Sequence, residues 1–300
     1  MEHPAIFWIG FHLLIALLLV VDLGLFQRKG QLVKFKEACL LSAFWVAIAL
    51  LFNLFIYFYF GSDWALQFFT GYLIEKSLSV DNLFLFLMIF AHFQTLAAYQ
   101  RKILFWGILG VLFFRISLIL TGVALIDEFH WMFYVFGVFL LLSGVNFMLQ
   151  KDKVEDPSKS FLYRTFSKIF PVAKGDGGGH FFVRSQGKWK VTSLFLALLM
   201  IESTDIVLAL DSVPAIFAVT TNPFIIYTSN IFAILGLRAL YFVVASSLKK
   251  LRYFKYGLAA ILVFVGIKML LADVAPISLP VSLAVILMIL GVTMLMSRTR

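Results

Sequence analysis

Glu75-Lys76-Ser77-Leu78-Ser79-Val80-Asp81-Asn82 lies inside an apolar stretch, and Asp205-Ile206-Val207-Leu208-Ala209-Leu210-Asp211-Ser212 lies inside another, 130 residues further on. Each carries a carboxylate, five intervening residues, then an Asp followed by a small polar side chain. In a membrane span an ionised side chain costs at least ~3 kcal/mol on insertion scales, so such residues usually mark a function. Two copies of one costly pattern suggest a duplicated unit built around a cation site.

The surroundings make the membrane reading firm. Of the 300 residues, 62% are hydrophobic and 14% charged, with 35 Phe and a mean hydropathy of +0.98. Soluble domains carry about 25% charged residues, so this composition indicates a polytopic membrane protein. Apolar runs long enough to cross ~30 Å of hydrocarbon recur along the chain. Nine spans are expected, at 6–26, 38–60, 66–91, 103–125, 130–149, 192–218, 224–246, 256–272 and 277–297. Their continuous apolarity predicts an all-α fold, since barrel strands alternate at period two. Glu2 and His3 precede the first span where a cleaved signal has a Lys/Arg cluster, and no small-residue cleavage site precedes Phe26-Gln27-Arg28-Lys29. That span is expected to remain as a helix. The lone Cys39 gives neither an intramolecular disulfide nor a Cys-based metal site.

The net charge of +9 is an orientation signal. Of 25 Lys and Arg, 21 fall in alternate connections, at 28–36, 101–102, 151–190, 249–255 and 298–300. Lys76, Arg115, Arg238 and Lys268 lie within spans, and the other connections hold only acids, Asp63, Asp127, Glu128 and Asp273. This positive-inside pattern places the N-terminus outside and the C-terminus in the cytoplasm. It leaves nucleic acid without support as a partner, and the lipid bilayer, with some contact to anionic headgroups, as the expected one. No oligomeric state follows from the sequence.

The chain is expected to form one transmembrane domain over 1–300, with a first repeat at 66–149, a cytoplasmic loop at 151–190 and a second repeat at 192–272. Within the loop, His180 to Lys190 contains two β-prone runs around Ser185-Gln186-Gly187, which allow a small hairpin. Asp176 and His180 could bind a regulatory metal, although a Gly-rich linker is the simpler reading. After the first acidic motif comes Ile108-Leu109-Gly110 with Arg115 beyond, and after the second Ile234-Leu235-Gly236 with Arg238 beyond. The Ile-Leu-Gly elements are 126 residues apart, the difference from 130 being taken up by a shorter connection. Spans 3–5 and 6–8 are therefore expected to be an inverted three-helix repeat, its two signatures facing each other near the midplane.

Helical geometry groups Glu75, Ser79 and Asn82 in one stripe, and Asp205 and Ser212 in another, with Glu202 one turn below. Asp81 and Asp211 point about 100° away from their neighbours Asn82 and Ser212. They face another helix, or the helix is interrupted near them. Pro214 favours interruption, because it removes the bond that would hold the Leu210 carbonyl.

The expected ligands are Glu75, Asp81, Asn82, Glu202, Asp205, Asp211 and Ser212. All are hard oxygen donors, suited to Mg²⁺, Ca²⁺ or Mn²⁺. Met88 and Met200 are the nearest softer donors, better read as packing residues. Five carboxylates exceed the need of one divalent ion, so some are expected to carry protons, which suits metal–proton exchange. Asp22, Asn230, Arg115 and Arg238 are pathway candidates, while His12 and His92 read as structural. The competing reading pairs the acids with Lys76, Arg115, Arg238 and Lys268 to fix helix packing.

These motifs resemble those of the TerC family of integral membrane proteins, and the chain looks closest to its Alx-like branch. The resemblance runs through Ile74–Asn82, Tyr99–Gly110, Leu210–Ile216 and Thr228–Arg238, and covers essentially the whole chain. It implies a manganese exporter of the bacterial inner membrane, related to LysE-type transporters. The family's acidic motif residues would fall on Glu75, Asp81, Asn82, Asp205, Asp211 and Ser212. Manganese is then a transported substrate, with no permanent cofactor and protons as counter-ion. No Walker loop suggests ATP use. Two alternatives use the same residues. One is a membrane accessory protein handing metal to exported proteins with the secretion machinery. The other is an intramembrane aspartyl hydrolase with Asp81 and Asp211 as a dyad. It lacks the Gly-flanked motif of such proteases and leaves three acids unused, so a non-enzyme is expected.

Overall fold

A computed structural model describes residues 5–26, 35–129, 131–149, 165–166, 171–173, 177–185, 188–247 and 254–298. Its helices are α1 (Ala5–Phe26), α2 (Phe35–Phe60), α3 (Ser62–His92), α4 (Ala97–Glu128) and α5 (Met132–Leu149). After the loop come α6 (Ser193–Phe217), α7 (Pro223–Leu235), α8 (Leu237–Ser247), α9 (Phe254–Leu270) and α10 (Leu279–Arg298). Every expected span falls on a helix, the seventh on the pair α7 and α8. Among the described residues, five helices are long and apolar enough to cross a membrane, or six if the bent pair is one span. Helix α3 is 31 residues long and carries the first motif with Asp63, Glu75, Lys76 and Asp81 along it. Leu13, Phe58, Phe113, Leu142 and Met294 are exposed, as expected of faces turned to hydrocarbon rather than water.

Two expectations about helix breaks are corrected. Helix α6 runs unbroken through Pro214 to Phe217. Only one turn follows the proline, so its missing N–H costs a single bond near the helix end. The seventh span, expected to be continuous, bends by 44° at Gly236. There Lys76 Nζ donates to the Ala233 carbonyl at 3.1 Å, satisfying a C-terminal group of α7. A Cβ on Gly236 would stand 2.7 Å from that ammonium and 3.1 Å from Trp45 Cβ, so a side chain there would displace the lysine from this contact. The start of α7 is equally defined. Pro223 occupies its first turn, and Asn222 Oδ1 accepts from the N–H groups of Phe224 and Ile225 at 3.0 and 3.4 Å.

Helix α4 packs on α6, and α7 packs on α3; α3 also packs on α6, and α5 on α9. The α5–α9 contact is close because small residues meet there. A Cβ on Gly266 would lie 2.7 Å from Leu141 N, and one on Gly144 would lie 2.9 Å from the Ala259 carbonyl. Without a hydrophobic drive between helices in lipid, such backbone approach supplies the packing energy.

The core divides into two apolar clusters. One gathers Phe68, Tyr72 and Ile74 of α3, Ile119 and Val123 of α4, and Val213 and Phe217 of α6. The other gathers Phe86 and Phe90 of α3, Leu104 and Ile108 of α4, and Leu194 and Met200 of α6. On α4 Arg115 and on α6 Asp205 fall between the clusters, whereas Glu75 of α3 and Ser212 of α6 are flanked along their helices by residues of the first cluster. The described part of the long loop closes the second cluster's end. Strands β1 (Phe182–Ser185) and β2 (Lys188–Val191) pair antiparallel, as the sequence allowed. Lys102 Nζ donates to the Gly179 carbonyl at 2.9 Å and sits over the Phe181 ring, and Thr192 Oγ1 donates to the His180 carbonyl at 2.7 Å. Asp176, half of the suggested loop metal site, lies outside the described residues.

Candidate functional site

Arg115 occupies the waist between the clusters. It extends from α4 toward α3, α6 and α7 and is 1% exposed. Its Nη1 stands 2.5 Å from Glu75 Oε1 and donates to Ser212 Oγ at 3.0 Å and Asn230 Oδ1 at 3.5 Å. Its Nε and Nη2 each lie 3.3 Å from an oxygen of Asp205, a forked contact suited to the planar guanidinium. Asn230 Nδ2 donates to Glu75 Oε2 at 3.1 Å, and Asn82 Nδ2 donates to Asp205 Oδ1 at 3.2 Å. Glu75, Asn82, Asp205, Ser212 and Asn230 are all buried. Every carboxylate oxygen of Glu75 and Asp205 thus has a partner, which burial of two charges requires.

The structure therefore brings together Glu75, Asn82, Asp205 and Ser212 of the expected ligand set, and it places Asn230 with them. For Glu75 and Asp205 the ion-pairing reading describes the geometry, with Arg115 as the partner of both. The side chains of Asp22, Asp81 and Asp211 lie outside the described residues. Among the described residues no three His, Cys, Asp or Glu side chains converge as a metal-binding group. Ser79 Oγ, in the same α3 stripe, is buried with no hydrogen-bond partner among the described residues.

Glu202 stands apart from the guanidinium. One oxygen, Oε2, is buried without a hydrogen-bond partner among the described residues. Its carboxylate packs against α4 at Gly110, where an added Cβ would overlap it, and lies 3.8 Å from the Cβ position of Gly107. Two glycines one turn apart thus give the α4 backbone a groove for this side chain.

Arg115 and Arg238, read from sequence as related positions, do different things. Arg238 lies 5.6 Å from the centre of the Phe105 ring, beside a small apolar void bounded by Phe86, Leu104 and Leu237. The signal was available: Arg115 follows Gly110 by five residues, whereas Arg238 follows Gly236 by two. The residue five beyond Gly236 is Tyr241, whose hydroxyl donates to Gln100 Oε1 at 3.0 Å. His12 is structural, joined to the Trp8 carbonyl at 2.7 Å and to Tyr227 Oη at 3.1 Å. Met200 is buried in the second apolar cluster, in keeping with its reading as a packing residue.

A domain of long apolar helices with a buried, internally paired charge network around Arg115 is that of an integral membrane protein. The chain belongs to the TerC family, whose description, Integral membrane protein TerC family, matches residues 60–300. It is 49% identical over 290 residues to the uncharacterised membrane protein STKORF319 of Myxococcus xanthus, covering 97% of this chain and 91% of the relative. It is 44% identical over 299 residues to a candidate membrane-bound redox modulator, Alx, of Escherichia coli K12, covering 97% and 93%. A membrane protein of Rickettsia bellii is 43% identical over 287 residues, covering 95% of each chain. No solved structure matches.

Proposed function

We propose that this protein is a secondary transporter that exports divalent manganese from the cytoplasm by proton exchange, through paired acidic motifs at the interface of an inverted repeat. The observation that carries the proposal is the mid-helix network. Oxygen donors of both motifs, Glu75 and Asn82 from α3 with Asp205 and Ser212 from α6, meet at one point between two apolar layers. The donors are carboxylate, amide and hydroxyl, a hard set suited to Mn²⁺, and Asp81 and Asp211 supply further carboxylates on the same helices. The packing pattern supports the repeat. Exchanging α3 with α6, α4 with α7–α8, and α5 with α9 turns the α4–α6 contact into the α7–α3 contact and returns the α3–α6 and α5–α9 contacts to themselves. A pseudo-twofold axis through the site has that property.

In this scheme the protein sits in the bacterial inner membrane, with the end that carries Arg101 and Lys102 in the cytoplasm. Metal enters from that side, the two halves rock about the site, and protons from outside displace it. Manganese is redox-active, so its export is compatible with the redox-modulator name of the Alx relatives. The test is Mn²⁺ flux in proteoliposomes, with and without a pH gradient, for wild type and Asp211→Asn. Flux that follows the gradient and vanishes in the variant is expected. Folded wild type that moves no Mn²⁺ would overturn the proposal and leave the metal-delivery role.

A further inference from the structure

We infer that Arg115 is a built-in substitute for the transported cation: its guanidinium holds the oxygens of Glu75, Asp205 and Ser212 when metal is absent, and withdraws when metal binds. This inference rests on the transport reading given above. Its ground is the contact list of one side chain. Arg115 engages one oxygen of Glu75, both oxygens of Asp205, the Ser212 hydroxyl and the Asn230 amide oxygen, spanning three other helices. These are the donors that a hard divalent ion would need, so guanidinium and metal cannot hold them together. Arginine does not lose its charge by giving up a proton in a protein, so it cannot yield the site by neutralising. It has to move.

The same geometry gives the substitution a purpose in a transport cycle. After metal release the incoming protons neutralise only part of the site's charge, and the buried carboxylates they leave bare would oppose return of the metal-free carrier across the low-dielectric midplane. Arg115 returns to them and offsets that charge. Its five N–H groups give the empty site a defined arrangement, bridging α3, α4, α6 and α7. Metal and arginine are then alternative occupants, with metal binding reduced by internal competition.

Loss of the competitor separates two kinds of transport. Exchange of Mn²⁺ for Mn²⁺ reorients only the loaded carrier, whereas net transport also needs the empty one to return. Wild type, Arg115→Gln and Arg115→Lys should be purified, checked for a single monodisperse species and reconstituted. Mn²⁺ binding, radiotracer Mn²⁺/Mn²⁺ exchange and net Mn²⁺ efflux are then measured on each. Arg115→Gln is expected to bind Mn²⁺ on the order of tenfold more tightly, the scale of ordinary coupled binding, to keep exchange, and to lose most net efflux. Arg115→Lys, a compact charge without the fork, is expected to fall between.

Weaker binding in Arg115→Gln, with exchange and net efflux lost in proportion, would overturn the inference and leave Arg115 a packing residue. If that variant does not fold, Arg115→Lys decides alone: a raised ratio of exchange to net efflux supports the inference, and an unchanged ratio overturns it. Failure of the transport reading itself is seen separately, as wild type that neither binds nor exchanges Mn²⁺.

Discussion

Gly110 and Glu202 show how closely single residues are fitted around the site. A methyl group at Gly110 would overlap the Glu202 carboxylate, and that carboxylate has a buried oxygen without a partner among the described residues. Gly110→Ala is therefore expected to destabilise the protein by about 1–3 kcal/mol, the usual range for overpacking. The loss should be largely relieved in Gly110→Ala combined with Glu202→Ala, since the two side chains compete for one space. A double-mutant cycle on thermal unfolding in detergent measures the coupling. Additive losses would show that Glu202 swings away without cost. The acids themselves were legible in the sequence because a carboxylate inside an apolar run is conspicuous wherever it sits. The choice of partner was not. Arg115 rather than Lys76 pairs with Glu75, although Lys76 is adjacent in sequence. Consecutive residues leave a helix about 100° apart. Lys76 accordingly reaches the end of α7 instead.

At the scale of elements, the α5–α9 pair is fixed by glycines that face backbone rather than flexible side chains. Gly266 approaches Leu141 N and the Gly137 carbonyl, and neither can rotate out of the way. Gly266→Val is expected to lower stability by at least ~1–3 kcal/mol through forced separation of the helices. Gly291 of α10 is the control, because nothing lies within 4 Å of its Cβ position. Gly291→Ala should leave the melting temperature near the wild-type value. Equal losses in both variants would mean that glycine itself, and not close approach, sets the stability. Helix positions were readable from hydropathy, since lipid demands runs of about 20 apolar residues. Helix breaks were not. Pro214 carried the sequence signal for a break and α6 runs through it, while the bend came at Gly236. Beside it a lysine 160 positions away in the chain donates to the Ala233 carbonyl, a contact that no local pattern reveals.

For the molecule as a whole, the stacking of apolar layer, polar waist and apolar layer sets what would have to move in the proposed transport cycle. On α4, Leu104 belongs to the layer beside the Lys102 end and Ile119 to the layer on the other side of Arg115. Both are nearly fully buried within the bundle. If the two halves rock about the waist, one layer has to part while the other stays packed. Single cysteines at these positions, in a Cys39→Ser background, make the motion measurable. Leu104→Cys should react with a membrane-impermeant thiol reagent added from the cytoplasmic face, and Ile119→Cys with the reagent added outside. The orientation comes from the Lys and Arg distribution, so labelling from the opposite faces would reverse the assigned topology. Mn²⁺ should change the two reactivities in opposite senses, because a ligand shifts a population only by preferring one of its states. Reactivities that rise or fall together would describe loosening of the whole bundle. That result would remove alternating access as the means by which a site buried between two apolar layers meets both sides of the membrane.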